Sequence, residues 1–316
     1  MISLLLEQIH SDVMKEGGSL KNSSMRPKLG VAVLYLLPGI LLYTLVVVIP
    51  IFNSFRLSFF RWSGGLKRTF IGLENYYILF QDSVFWQSFR NNIIITLISI
   101  VGQIGIAFIF SSFLYSRMIK FKSFHRVVVY FPATISAVVV GFVWSFVFNY
   151  DYGLINQVLE FLNLGSLAST WLDNPNTIIY IVSFPIVWQY IGFYMVIILS
   201  AMTSIDKHIY EMSEIDGANG IQKAIKITLP LIKRTMGVTV MLCIAGNMRI
   251  FDHIYVMTGG GPGTSSMVMA LHVYKTTFIK SQFGYASAIS VAILVLSLTL
   301  ILISKLLINR PWARAK

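Results

Sequence analysis

Charge is what this sequence has least of. Of its 316 residues 12% are Asp, Glu, Lys or Arg, and 13 are acidic. An average soluble domain is about 25% charged. So small a supply cannot clothe a water-facing surface, which excludes an ordinary soluble globule. Cysteine is nearly absent as well. Cys243 stands alone inside an apolar run, so no disulfide can form within the chain, and a small packed side chain accounts for it. A phosphate-binding loop of the GxxxxGK(S/T) type is also missing. The run Gly259-Gly260-Gly261-Pro262-Gly263 lacks the following Lys, so it makes a poor nucleotide site and reads as a turn. The first residues, MISLLLEQIHSDVMKEGG, lack the basic start of a secretory leader. They read as an amphipathic surface helix or as a cytoplasmic tail.

What is present is apolar. The hydrophobic fraction is 56% and the mean hydropathy is +0.72. Crossing hydrocarbon about 30 Å thick takes about 20 mostly apolar helical residues. Six segments qualify: Val31 to Phe52, Ile93 to Phe113, Val127 to Phe148, Ile178 to Met202, Met236 to Tyr255 and Ala286 to Leu307. Backbone amides in lipid must be satisfied within the chain, which excludes open strands. A β-barrel would instead alternate in segments of about ten residues. The reading is an all-α integral membrane protein with six transmembrane helices. It has a cytoplasmic tail over 1–30, a membrane domain over 31–308 and a second tail over 309–316.

The net charge of +12 is distributed by topology. Lys15, Lys21, Arg26 and Lys28 precede the first span. Arg117, Lys120, Lys122 and Arg126 lie in the second loop, and Lys207, Lys223, Lys226, Lys233 and Arg234 in the fourth. Lys305, Arg310, Arg314 and Lys316 close the chain, whereas the third loop, Asn149 to Thr177, has no Lys or Arg. The basic-inside bias puts both termini in the cytoplasm, so no nucleic-acid partner is needed to explain the charge. The first loop disagrees: Arg56, Arg61, Lys67, Arg68 and Arg90 fall outside. Shorter surface helices are expected within Gly72 to Phe89 and Asp151 to Leu164, and a turn after Trp62.

Polar residues within spans mark candidate substrate contacts, because such groups are costly in hydrocarbon. They are Gln103, Trp144, Trp188, Gln189, Tyr190, Asn247 and Arg249. Aromatic faces with amide partners suit sugars. Bonds between helices, or a snorkelling arginine, would account for the same residues. Arg249 could also favour an anionic saccharide through charge-assisted bonds. His208 and Asp206 lie close in sequence, but no convincing nucleophile or metal constellation follows, so neither a catalytic residue nor a metal ligand is assigned.

The fourth loop, about 203–234, is the most informative stretch. Ile205, Ile209, Met212 and Ile215 recur at helical spacing up to a break at Asp216-Gly217. Asn219 to Gln222 can form a capping box, and Pro230 ends one pattern or begins the next helix. By pattern this is an ordinary amphipathic connector or a docking element for a soluble partner.

Here the sequence resembles the permease subunits of bacterial binding-protein-dependent ABC importers, in the carbohydrate-uptake branch that includes the maltose permeases. The family's cytoplasmic motif opens Glu-Ala-Ala, carries a Gly a few residues on and closes Ile-x-Leu-Pro. Glu211, Gly217, Ile227, Leu229 and Pro230 occupy those places, with Met212 and Ser213 replacing the alanines. FIGLENYYILFQDSVFWQSFRNN, FDHIYVMTGGGPGTSS and FGYASAIS extend the likeness over nearly the whole chain. The resemblance implies a coupling helix for the ATPase built on Glu211, Met212, Ser213, Asp216, Gly217 and Ala218, with Leu229 and Pro230 closing the motif. It implies a second homologous permease subunit, commonly a different chain, and two ATP-binding subunits that hold ATP and Mg. This chain then has no cofactor of its own. A soluble or lipid-anchored solute-binding protein would deliver the saccharide substrate, and membrane lipid would surround a multi-pass protein of the bacterial inner membrane. The alternatives are a secondary transporter, or ABC import of another small polar solute such as a glycerol phosphate.

Overall fold

The computed structural model describes residues 29–116 and 119–309. Most of the two tails assigned above, and Arg117, lie outside the described residues. The chain divides between Asn53 and Ser54 into two compact units. The first unit holds most of α1 (Val33–Leu57), which keeps Pro38 within its helix and relaxes into a π-turn at Thr44–Val48.

In the second unit a small hairpin, β1 (Phe60–Arg61) and β2 (Thr69–Phe70), leads to the surface helix α2 (Glu74–Gln81). Two of the cations that break the basic-inside bias find partners here. Arg61 pairs with Glu74, and Arg68 lies over the Trp62 ring, 4.3 Å from its centroid. The chain then runs through α3 (Ser83–Tyr115), α4 (Lys122–Thr134), α5 (Ala137–Val147), α6 (Leu154–Phe161) and α7 (Ile178–Thr203). The cytoplasmic α8 (Lys207–Ile215) is followed by α9 (Gly220–Leu231), α10 (Lys233–Met248), α11 (Asp252–Met257), α12 (Met269–Tyr274) and α13 (Phe283–Ile308). Among the described residues α1, α3, α7 and α13 are each long and apolar enough to cross a membrane. Two further pairs are long and apolar enough only when taken together, α4 with α5, bent by 94°, and α9 with α10, bent by 78°.

Three spans therefore differ from the sequence reading. The second helix begins at Ser83, not Ile93, because the Asp82 side chain caps it by accepting from the amides of Val84 and Phe85. The third is broken at Ile135-Ser136, after a tight turn containing Pro132. The fifth ends at Met248 instead of reaching Tyr255. The Asn247 carbonyl accepts from the Asn92 side chain (2.7 Å), which satisfies a helix-terminal group and releases the following residues.

The core of this unit forms around α7, whose side chains Ile178, Val182, Ile186, Met195 and Ile198 are almost wholly buried. In lipid there is little hydrophobic drive between helices, so close approach and hydrogen bonds decide their pairing. Gln103 donates to the Ile186 carbonyl (2.9 Å) and Ser111 to that of Met195 (3.0 Å), joining α3 to α7. Gly192 lets α7 approach α4 closely. A Cβ placed there would stand 2.2 Å from the Val129 carbonyl oxygen.

Two adjacent amides fix the returning external segment. Asn91 donates to the carbonyls of Ser265 and Met267, each at 2.8 Å. Asn92 donates to Asn247 and accepts from the Met269 amide (2.9 Å). Asn92→Leu would strip both partners away, and each buried unsatisfied group costs about 1–3 kcal/mol. The purified protein should melt several degrees lower, and an unchanged melting curve would refute this role.

Asp82 also clamps three elements on the outer side. Its second oxygen accepts from Tyr285 Oη (2.5 Å) at the start of α13 and from His272 Nε2 (3.0 Å) in α12. Burial acts to raise the Asp82 carboxyl, but bonds from Tyr285, the Phe85 backbone and His272 outweigh it and hold it below its ordinary 3.8. Burial likewise pushes His272 below its ordinary 6.5, with Lys280 and Lys275 adding to the push and Asp82 opposing it. The folded imidazole thus stays neutral where the opened state has taken up a proton. Stability should fall as pH drops below 6.5, and again below 3.8 as Asp82 is protonated. Melting temperatures recorded at about pH 7.5 and about pH 5.5 should differ, and His272→Gln should shrink the difference. An equal drop in the variant would assign the pH effect elsewhere.

Candidate substrate path and coupling loop

The polar residues of the spans do not all converge. Gln103 from α3, Tyr190 from α7, and Asn247 and Arg249 at the end of α10 line one cavity of about 380 Å³. Gln103 is 2% exposed, and its Oε1 accepts from Cys243 Sγ at 3.6 Å. Asn247 is 5% exposed, and its Nδ2 donates to the Cys243 carbonyl (3.0 Å). Both amides are thus held in place from within the bundle.

The remaining candidates sit elsewhere. Trp144 and Trp188 pack edge to face, with ring centroids 5.8 Å apart, in a cluster with Phe184 and Phe148. Gln189 bonds between helices. Its Nε2 donates to the Ile135 carbonyl (2.7 Å) and its Oε1 accepts from His253 Nε2 (2.6 Å). None of these three lines the cavity.

Sequence reasoning missed Tyr194, Phe251, Asp252 and His253, which do line it. Tyr194 falls one helical turn after Tyr190, so the spacing carried a signal. The other three enter because the chain leaves its helix after Met248. The lining now holds aromatic faces, two amides, one cation in Arg249 and one acid in Asp252. That set can hydrogen-bond and stack a hydroxyl-rich solute. Among the described residues no group of three or more His, Cys, Asp or Glu could hold a metal ion.

The cytoplasmic loop folds as its pattern predicts. Asp206 caps α8 by accepting from the His208 amide, and Asn219 and Gln222 form a reciprocal capping box at the start of α9. Between them the chain turns through Gly217, with φ at +76°. The Gly217 amide donates to Glu214 and the Ala218 amide to Ser213, a left-handed helix stop of the Schellman type. A Cβ on Gly217 would meet nothing within 4 Å, so the glycine serves the turn and not a close approach within this chain.

Ser213 is buried and donates to the Tyr210 carbonyl, while Tyr210 Oη meets Thr228 Oγ1 at 3.0 Å. Lys223 pairs with Glu214 (2.9 Å) across the turn, and Glu211 faces His208 (3.3 Å). Leu229 is half-buried and Pro230 exposed at the end of α9. Met212, Ile215 and Ile221 are 65%, 87% and 73% exposed, an apolar ridge around the Gly217 turn.

Membrane-crossing helices, a polar cavity among them and a compact helical knuckle with bare apolar side chains define the membrane subunit of a transport machine. The profile of the family described as "Binding-protein-dependent transport system inner membrane component" matches residues 103–312. The chain belongs to this family and is a multi-pass permease of the inner membrane. The probable ABC transporter permease YurN of Bacillus subtilis is 37% identical over 269 residues, 84% of this chain and 92% of its own length. SmoG of Agrobacterium fabrum, a permease for sulfoquinovosyl glycerol, is 32% identical over 84% of this chain and 86% of its own. The likeness to SmoG falls in the carbohydrate-uptake branch named from the motif. The permease fold recurs in the crystal structure of a bacterial ABC transporter that imports the acidic polysaccharide alginate. That match has a TM-score of 0.77 at 21% identity, over 89% of this chain and 96% of the other.

Proposed function

We propose that this chain forms half of the membrane path of an ATP-driven saccharide importer and receives force through Glu211 to Ala218. The observation that carries this reading is the apolar ridge of Met212, Ile215 and Ile221 around the Gly217 turn. Side chains so exposed on a water-facing projection call for a partner surface. The partner is an ATPase subunit, which brings ATP and Mg. A second permease, a related but different chain, completes the path, and a solute-binding protein, soluble or lipid-anchored, delivers the sugar. ATP binding brings the two ATPases together, pushes the knuckles and opens the path outward, and hydrolysis resets it. The change is a shift between two packings that nucleotide and loaded binding protein bias in one direction. Gln103, Tyr190, Asn247 and Arg249 contact the sugar on its way.

The test is uptake by the complete importer in proteoliposomes, with a panel of labelled saccharides and with ATP present or absent inside. Uptake should require both the binding protein and ATP. Uptake driven by an ion gradient alone would overturn the reading in favour of a secondary transporter. Asn247→Ala should lower uptake more than complex assembly, and equal losses would mark Asn247 as a packing residue.

A further inference from the structure

A second cavity, of about 460 Å³, opens where the loop between α5 and α7 meets the segment after α11. Its size falls within the roughly 300–1,000 Å³ range of small-molecule sites. It presents the aromatic side chains of Tyr150 and Trp171 together with the polar groups of Asn149, Asp151, Asp173 and Thr258. Aromatic faces beside hydrogen-bonding groups are what a sugar ring needs.

One buried amide assembles this wall. Asn156, 4% exposed, donates from Nδ2 to the carbonyls of Tyr150 (3.1 Å) and Ser169 (3.2 Å). Its Oδ1 accepts from the Trp171 indole nitrogen (2.8 Å). The Trp171 indole and the backbone that carries Tyr150 are therefore positioned before any ligand arrives, which reduces the ordering cost of binding.

Placement links this cavity to the inner one. Asp252 and His253 at the start of α11 line the inner cavity, and Met257 and Thr258 at its end line the outer. The residues of α11 that line the two chambers stand at opposite ends of a six-residue helix about 9 Å long. Their charges differ. The inner cavity has Arg249 and Asp252, one of each sign, whereas the outer lining has Asp151 and Asp173 and no Lys or Arg.

We propose that the outer cavity is an entry site for saccharides that admits neutral or amine-bearing sugars and disfavours acidic ones. It rests on the saccharide-import reading and narrows its substrate class. Asp151 and Asp173 repel a carboxylate or sulfonate and can hydrogen-bond hydroxyl or ammonium groups. Arg249 lies beyond this filter and is balanced by Asp252, so it orients a sugar already admitted.

The experiment uses the complete permease–ATPase complex in nanodiscs, with maltotriose, the glucosamine trimer and trigalacturonate as probes. Binding is read by saturation-transfer NMR, and ATP-dependent uptake is measured in parallel with the same complex in proteoliposomes supplied with its binding protein. Maltotriose and the glucosamine trimer should bind about tenfold more tightly than trigalacturonate. Asp151→Asn combined with Asp173→Asn should close most of that gap. Both aspartates are exposed, so the variant should assemble normally, which co-purification checks. Tyr150→Ala should weaken the neutral trimer. Equal affinity for trigalacturonate in the natural protein, or a gap unmoved in the double variant, overturns the entry site even where saccharide uptake persists. Absence of both binding and uptake for all saccharides overturns the import reading itself, and the entry site with it.

Discussion

Replacing Gly192 by alanine should cost this protein more stability than any other single methyl group added to it within α7. An ideal Cβ at that position lies 2.2 Å from the Val129 carbonyl oxygen, 2.5 Å from Tyr130 Cα and 2.7 Å from the Val129 carbonyl carbon. All three neighbours are backbone, so no flexible side chain can swing aside. Either α4 retreats from α7 or both helices distort. Overpacking of this kind costs about 1–3 kcal/mol, and more where the backbone itself must move. Retreat would also strain the Gln189 bond to Ile135, which lies a turn and a half beyond Val129 on the same bent span. Gly192→Ala should lower the melting temperature and the yield of assembled complex, and Gly192→Leu should abolish assembly. Gly246 is the control, because a Cβ there meets nothing within 4 Å. Equal stability of Gly192→Ala and Gly246→Ala would refute the contact.

Gly217→Val is expected to separate transport from ATP hydrolysis. The position has φ at +76°, where a β-branched residue is strained. The left-handed stop would have to unwind, at about 1–2 kcal/mol. Unwinding would break the Ala218–Ser213 bond and move the ridge of Met212 and Ile215 relative to Ile221. The spans do not depend on that turn, so the protein should still fold. In the reconstituted complex, uptake should drop about tenfold or more while basal ATP hydrolysis continues. Gly217→Asn, which tolerates a left-handed conformation better, should retain more coupling. Unchanged uptake and hydrolysis in the valine variant would remove the turn from the mechanism.

The apolar runs were legible because hydrocarbon imposes a single requirement, length. The knuckle was legible because its signals are local: the Gly217 break and the Asn219–Gln222 capping box act on near neighbours, although the Asp206 cap was not read. What escaped was long-range. Asn92 bonds the end of α10 from 155 positions away, and no pattern near Met248 announces it. Gln103 and Gln189 look alike in sequence and both bond between helices, yet only Gln103 also lines the inner cavity. Trp144 and Trp188, read as candidate sugar contacts, pack edge to face on each other outside the inner cavity, a pairing their spacing in sequence does not announce. The outer cavity was invisible for the same reason, since Asn156 assembles it from three separate points of one loop.

The broken third span has a further consequence. Its interruption exposes the Ile135 carbonyl, and Gln189 answers it while accepting from His253. Gly141 in α5 meets the backbone of that same histidine, with its added Cβ only 3.5 Å from His253 Cα. The Gln189 amide thus ties α7 to α11 and to the break before α5, Gly141 packs α5 on α11, and residues of α11 line both chambers. When the knuckle is driven, the inner chamber and the outer mouth should swing as one body instead of opening in turn.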